Sequence, residues 1–166
     1  TVDKTAYNNL INNFSTQWQA APWLRFTGRF AFQYQQDQSD KFLPAQHTSF
    51  VSKPTFEKGT YTKGHGNRTS LESTITADFN KTIGKNQFYA TVGTTIQDVK
   101  FNTESVTVQG FPNPKLDQLV LGNGYPEGSR PTGSESITRL FGLLSNVSYT
   151  YDNKYLLDFS FRTDGS

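Results

Sequence analysis

The sequence has no cysteine in its 166 residues. That excludes disulfide frameworks, thiolate metal sites and cysteine nucleophiles, and it leaves the redox compartment open. No run approaches the ~18 consecutive apolar residues of a membrane-spanning helix. Apolar residues make up only 34% of the chain, too few for a thick soluble core. Charge of neither sign dominates. Sixteen Lys and Arg stand against fourteen Asp and Glu, a net +2, and they are scattered, so nothing forms a basic nucleic-acid patch or an acidic tail. No secretory leader opens the chain, so in an exported protein Thr1 is not the natural start.

What is present is period-two alternation. In residues 24–34, Leu24, Phe26, Phe30, Phe32 and Tyr34 share one parity, and Arg25, Thr27, Arg29, Ala31 and Gln33 share the other. Such alternation marks a strand with one apolar face, and ~9–11 residues suffice for a tilted strand to cross a bilayer. Residues 10–20, 69–81, 87–100, 138–151 and 154–163 repeat the pattern, giving six expected strands. No amphipathic helix competes.

The connections alternate as well. Short turns are expected near Ala21-Pro22, Gly84-Lys85-Asn86 and Asp152-Asn153. Two long polar excursions, roughly 38–67 and 102–136, are rich in Gly and Pro. Short connections at one end and long ones at the other are the signature of an up-and-down transmembrane β-barrel wall. The composition fits, because only one face of each strand then meets lipid. Aromatics reach 14% and gather near the short turns: Trp18, Phe79, Phe88, Tyr149, Tyr151 and Tyr155. That is the placement of an interfacial belt. Trp23 has the parity of the polar face, or lies inside the turn.

Little else suggests chemistry. His47 and His65 fall in the first excursion without the spacing of a metal site, so they are expected to be solvated loop residues. Gly122-Asn-Gly124 does not follow a strand and open a helix, so a dinucleotide loop fails. Glu72 and Asp78 share a polar face about 20 Å apart at ~3.3 Å per residue, too far for an acid/base pair. Neither catalytic residues nor a cofactor site is expected. Arg25, Arg29, Glu72 and Asp78 are the candidates for facing a wet lumen. The excursions are the candidates for recognition, through aromatics expected to be exposed: Phe50, Phe56, Tyr61, Phe111 and Tyr125.

The tail Arg139-Leu-Phe-Gly, then Asn146-Val-Ser-Tyr-Thr-Tyr-Asp-Asn-Lys-Tyr-Leu-Leu-Asp-Phe-Ser-Phe-Arg162-Thr-Asp-Gly-Ser166, resembles the SusC/RagA-like TonB-dependent transporters of Bacteroidota. Asn80-Lys-Thr-Ile-Gly-Lys-Asn86 is similar to a turn of that family, and Leu121-Gly-Asn-Gly124 looks like its loop segment before the next strand. The resemblance is weaker in the first third, where Trp23-Leu-Arg-Phe and Ser39-Asp-Lys-Phe still fit. It implies that residues 1–166 are part of one large outer-membrane barrel domain, with the plug and the remaining strands absent. It further implies uptake of glycans or peptides with a SusD-like surface lipoprotein, powered by the TonB complex acting through absent regions. The partners are then outer-membrane lipid, the lipoprotein and the substrate, with no nucleic acid and no enzymatic activity. Two alternatives remain open from the residues: a siderophore- or cobalamin-type receptor of the same architecture, and a secreted β-sandwich that binds carbohydrate or mediates adhesion.

Overall fold

A computed structural model describes residues 1–115 and 117–166. Leu116, inside the second expected excursion, lies outside the described residues. Six strands form one antiparallel up-and-down sheet in sequential order: β1 (Val2–Ala21), β2 (Leu24–Leu43), β3 (Thr60–Ile83), β4 (Asn86–Gln109), β5 (Thr132–Tyr151) and β6 (Tyr155–Gly165). There is no second sheet among the described residues, which removes the sandwich alternative. The only helical pieces there are three single turns, Thr48–Phe50, Thr55–Glu57 and Leu119–Leu121.

The strands are longer than the alternation indicates. β2 continues through Gln35 to Leu43, and β3 begins at Thr60 rather than near 69. The expected excursions therefore shrink to connections of residues 44–59 and 110–131. Apart from Phe42, Leu43 and Tyr61 at their far ends, both faces are polar along these extensions, so no hydrophobic period marks them, yet the ladder hydrogen bonds run on regardless of side-chain polarity. Gly64 and Gly66 belong to β3, not to a loop. A Cβ on Gly64 would lie 2.5 Å from Ser39 Oγ, so this glycine permits close cross-strand packing.

Internal contacts divide the chain into two compact units. One comprises Leu10–Gln33, Thr69–Val99 and Ile137–Ser166. It holds the three short turns, and they stand together at one end. The Asp152 amide donates to Lys85 O (2.8 Å), and the Asn80 amide donates to Trp23 O (2.9 Å). Gln87 Nε2 donates to Asn153 Oδ1 (3.0 Å). Asp152 and Asn153 both have φ of 52°, the left-handed geometry that a tight hairpin requires and that Asp and Asn tolerate.

Alternation in this unit is clean. The β5–β6 register pairs Val147 with Phe159, Tyr149 with Leu157 and Tyr151 with Tyr155 on one face, and Asn146 with Ser160 and Ser148 with Asp158 on the other. Trp18 stacks on Phe26 (centroids 5.5 Å), Phe14 meets Phe30 (6.4 Å) and Phe88 meets Tyr149 (5.0 Å). Trp23 lies in its turn, and its ring packs edge-on against Phe79 at 5.4 Å.

The other unit comprises Thr1–Asn9, Tyr34–Arg68 and Lys100–Ser136. The two long connections fold onto each other there. Gly110 N donates to Gly59 O (3.1 Å), and Phe111 N to Lys58 O (2.9 Å). Phe42, Val108 and Phe111 make a small core flanked by Val2, Tyr61, Val106 and Leu119. Gly110, at φ +82°, allows the approach, since a Cβ there would lie 2.5 Å from Phe56 O.

Candidate functional site

The polar face of the first unit is built by strand alternation. Arg25, Thr27 and Arg29 come from β2, Glu72, Thr74, Thr76 and Asp78 from β3, and Tyr89 and Thr91 from β4. Asp78 is the node. It accepts from Arg25 Nη2 at 3.1 Å and Nε at 3.3 Å, and from the Thr91 hydroxyl at 2.8 Å. The Tyr89 phenol oxygen lies 2.8 Å from the same hydroxyl. Further along the same face the Thr74 and Thr95 hydroxyls meet at 3.1 Å.

All four lumen candidates lie on this face. Arg25, Arg29 and Asp78 line one shallow concavity of about 260 Å³, and Arg29 and Glu72 line a second of about 290 Å³. Of these four described residues only Arg25 and Asp78 form an ion pair; Arg29 and Glu72 are not joined to each other. The surroundings of Asp78 offer hydrogen-bond donors but no nucleophile–base pair. Alternation alone does not single out Thr91 as its partner, although counting the hairpin register outward from Gly84-Lys85 brings the two opposite each other.

In the second unit the five loop candidates separate. Phe111 is 1% exposed and Phe50 is 8% exposed, so both are interior residues, contrary to expectation. Apolar side chains in loops this well folded find each other rather than solvent. Tyr61 sits on β3, half-buried beside Phe42 and Phe111. Its hydroxyl donates to Asp40 Oδ1 at 2.8 Å. Burial, then the hydrogen bond and charge of Asp40, push the phenol up to about 12. Phe56 and Tyr125 do stand exposed, at 61% and 51%, as do Val51, Val120 and Leu121 in the same two connections.

A larger concavity of about 690 Å³ in this unit is lined by Lys63, His65, Glu104, Ser105, Val106, Pro131, Thr132 and Gly133. Its size suits a small ligand. His65 and Glu104 also border a neighbouring hollow of about 320 Å³ with Asp37, Ser39 and Thr103. His65 is thus a strand residue rather than a loop residue. His47 does lie in the connection, where its Nδ1 accepts from the Ser49 amide at 3.2 Å and caps the single turn that follows. Among the described residues no three His, Cys, Asp or Glu converge as a metal site.

No protein-family model matches the chain, and no curated protein sequence matches it. Solved structures do match. A chain of the RagAB peptide transporter superposes with a TM-score of 0.87 at 18% identity. The RagAB peptide importer in its "open-open" state gives 0.81 at 19%. Each match covers 98% of this chain and 18% of the transporter chain. The ferric citrate transporter FecA in its unliganded form gives 0.53 at 10%, over 98% of this chain and 24% of that one. The chain therefore has the fold of a wall segment of these transporters, and spans about a fifth of their length. That fold agrees with the family resembled by the tail motifs.

Proposed function

We propose that this chain is a barrel-wall segment of a TonB-dependent outer-membrane importer. The observation that carries this reading is an exposed apolar band. On one face, Leu10, Phe14 and Trp18 of β1, Phe30 of β2, Leu71 and Ile75 of β3, Phe88, Val92 and Ile96 of β4, Phe141 and Val147 of β5, and Leu157 and Phe159 of β6 are all exposed. A water-soluble surface rarely leaves so much contiguous apolar area uncovered. From the short turns out to Leu10, Leu71, Ile96 and Phe141 the band spans 11–13 residues per strand, about 25–30 Å at ~3.3 Å per residue and ~40° tilt. Beyond it the same face turns polar: His65, Asn67 and Thr69 on β3, and Asp98, Lys100 and Asn102 on β4.

In this reading the short turns are periplasmic and the long connections extracellular. The face carrying Arg25, Arg29, Glu72 and Asp78 lines the lumen. β1 and β6 are edges of the six-stranded sheet, and in lipid such edges need further strands; these and the plug belong to the rest of the transporter. The segment performs no chemistry of its own. Peptides are the favoured cargo, supported by the peptide transporter and importer neighbours; glycans fit the family resemblance equally in kind. A SusD-like lipoprotein meets the loop end, where Phe56 and Tyr125 are the remaining aromatic contacts. A ferric-chelate receptor is the weaker reading, resting on a lower structural likeness.

Cysteine labelling in a cysteine-free version of the full transporter tests the placement. Val92→Cys is expected to resist a membrane-impermeant thiol reagent and to be quenched by lipid-borne probes, while Thr91→Cys reacts from the lumen. Equal labelling of both positions rejects a membrane wall.

A further inference from the structure

At the short-turn rim, lysines meet the aromatic end of the apolar band. Lys81 Nζ lies 5.8 Å from the centre of the Trp23 ring, and Trp23 packs on Phe79. No carboxylate is within ion-pair distance of Lys81 among the described residues. Its strand parity is that of Phe79 and Ile75, so the ammonium rises from the apolar face where that face ends. The adjoining turns add Lys85 and Lys154. Both reach the single carboxylate of Asp152, at 3.1 and 3.4 Å. Three cations against one anion leave this rim positive. Nearby Ile83 and Tyr155 are 57% and 70% exposed.

We propose that this rim binds the headgroups of anionic phospholipids in the leaflet at the short-turn end. The proposal rests on the membrane-wall reading above. Three features fit a phosphodiester and its acyl chains together. The apolar band accepts the chains. Trp23 and Tyr155 sit at the depth where amphipathic rings favour the interface. The lysine stems extend along apolar surface while their ammonium groups reach the phosphate layer. The cation–π contact holds Lys81 against Trp23 without neutralising it, so its charge stays available. Asp152 acts against binding by occupying Lys85 and Lys154, which makes the arrangement a graded one.

The test uses the full-length transporter inserted in vesicles of equimolar phosphatidylglycerol and phosphatidylcholine, then extracted in mild detergent. Co-purifying lipid is quantified by mass spectrometry. A juxtamembrane lysine contributes about fivefold in local preference, equivalent to ~1 kcal/mol. Retention of phosphatidylglycerol over phosphatidylcholine is expected, falling about fivefold in Lys81→Gln and surviving in Lys81→Arg. Asp152→Asn, which keeps a residue suited to positive φ, is expected to raise the preference by freeing two lysines. Normal insertion with no phosphatidylglycerol preference, or a preference unchanged in a Lys81→Gln, Lys85→Gln, Lys154→Gln triple variant, overturns the rim site and leaves the wall reading standing. Failure of the wild-type transporter to insert overturns both.

Discussion

Arg25 and Asp78 are 53 residues apart in the chain, and their side chains meet across β2 and β3 at 3.1 Å. Arg25 is about half exposed and Asp78 is 14% exposed, so water screens one partner more than the other. A half-exposed pair contributes about 0.2–1 kcal/mol. A double-mutant cycle on Arg25→Ala and Asp78→Ala, read by urea unfolding of the bilayer-inserted transporter, is expected to return a coupling in that range. Asp78→Ala alone should cost more than Arg25→Ala, because it also deprives the Thr91 hydroxyl of its acceptor. A coupling of zero would mean that the contact does not hold the polar face together.

Neighbouring positions on β4 test the two faces. Val92 is half exposed on the apolar band, and Thr91 points to the opposite face, where it donates to Asp78. Val92→Arg near the bilayer midplane is expected to cost ~2–4 kcal/mol of membrane folding stability. Thr91→Arg is expected to be milder, since the new charge enters a polar hollow beside a carboxylate. Equal losses in a vesicle refolding titration would count against the face assignment.

Thr94 Oγ1 is a buried hydroxyl without a hydrogen-bond partner among the described residues, on the face of β4 that carries Val92 and Ile96. An unpaired buried hydroxyl costs about 1–3 kcal/mol. Valine has the same shape without the polar atom, so Thr94→Val is expected to raise stability by ~1 kcal/mol in the same titration. A loss of stability would show that the hydroxyl is satisfied in the assembled barrel.

The six strands, their order and their short turns were legible in the sequence because apolar–polar alternation is a local signal. Phe26, Phe30 and Phe32 against Arg25, Thr27 and Arg29 suffice to set the faces, and one residue of slip would invert them all. The strand extensions were not legible. Gln35 to Lys41 and Thr60 to Arg68 are polar on both sides, and only the neighbouring strands dictate that they stay extended. The loop candidates failed where hydrophobic burial acts at long range. Nothing local distinguishes Phe111, which packs on Phe42 at 5.2 Å, from Phe56, which faces water. Arg25, Arg29, Glu72 and Asp78 share one face of β2 and β3, whereas the aromatic candidates divide: Phe50 and Phe111 are interior, Tyr61 belongs to β3, and Phe56 and Tyr125 are on the surface.

Tyr61 makes alkaline pH a probe of the loop unit. Its folded value of about 12 stands above the ordinary 10.0, so the folded form holds the proton more tightly than the unfolded one. The contribution is fully present below about pH 10 and is lost as pH rises towards about 12. Tyrosinate absorbance, compared between wild type and Tyr61→Phe, is expected to show one phenol ionising later than the bulk. A difference spectrum centred at the ordinary value would remove the burial and the Asp40 hydrogen bond as its environment.

The two long connections offer the sharpest separation of folding from recognition. Excising residues 105–130 would remove the end of β4 and Phe111 together, so single substitutions discriminate better. Phe111 fills the small core, and Phe→Ala at such a site costs about 3–5 kcal/mol. Because residues 58–59 and 110–111 are joined by two backbone hydrogen bonds, Phe111→Ala is expected to expose both connections to protease, including residues 44–59, which it does not belong to. Phe56 is 61% exposed, and Phe56→Ala should leave the protease pattern unchanged. If the loop end meets cargo or a surface lipoprotein, Phe56→Ala and Tyr125→Ala lower uptake or complex formation with no change in folding. Normal uptake and normal complex formation in the Phe56→Ala, Tyr125→Ala double variant would leave the connections a shielding role only. Cleavage confined to residues 110–131 in Phe111→Ala would show that the two connections are independent.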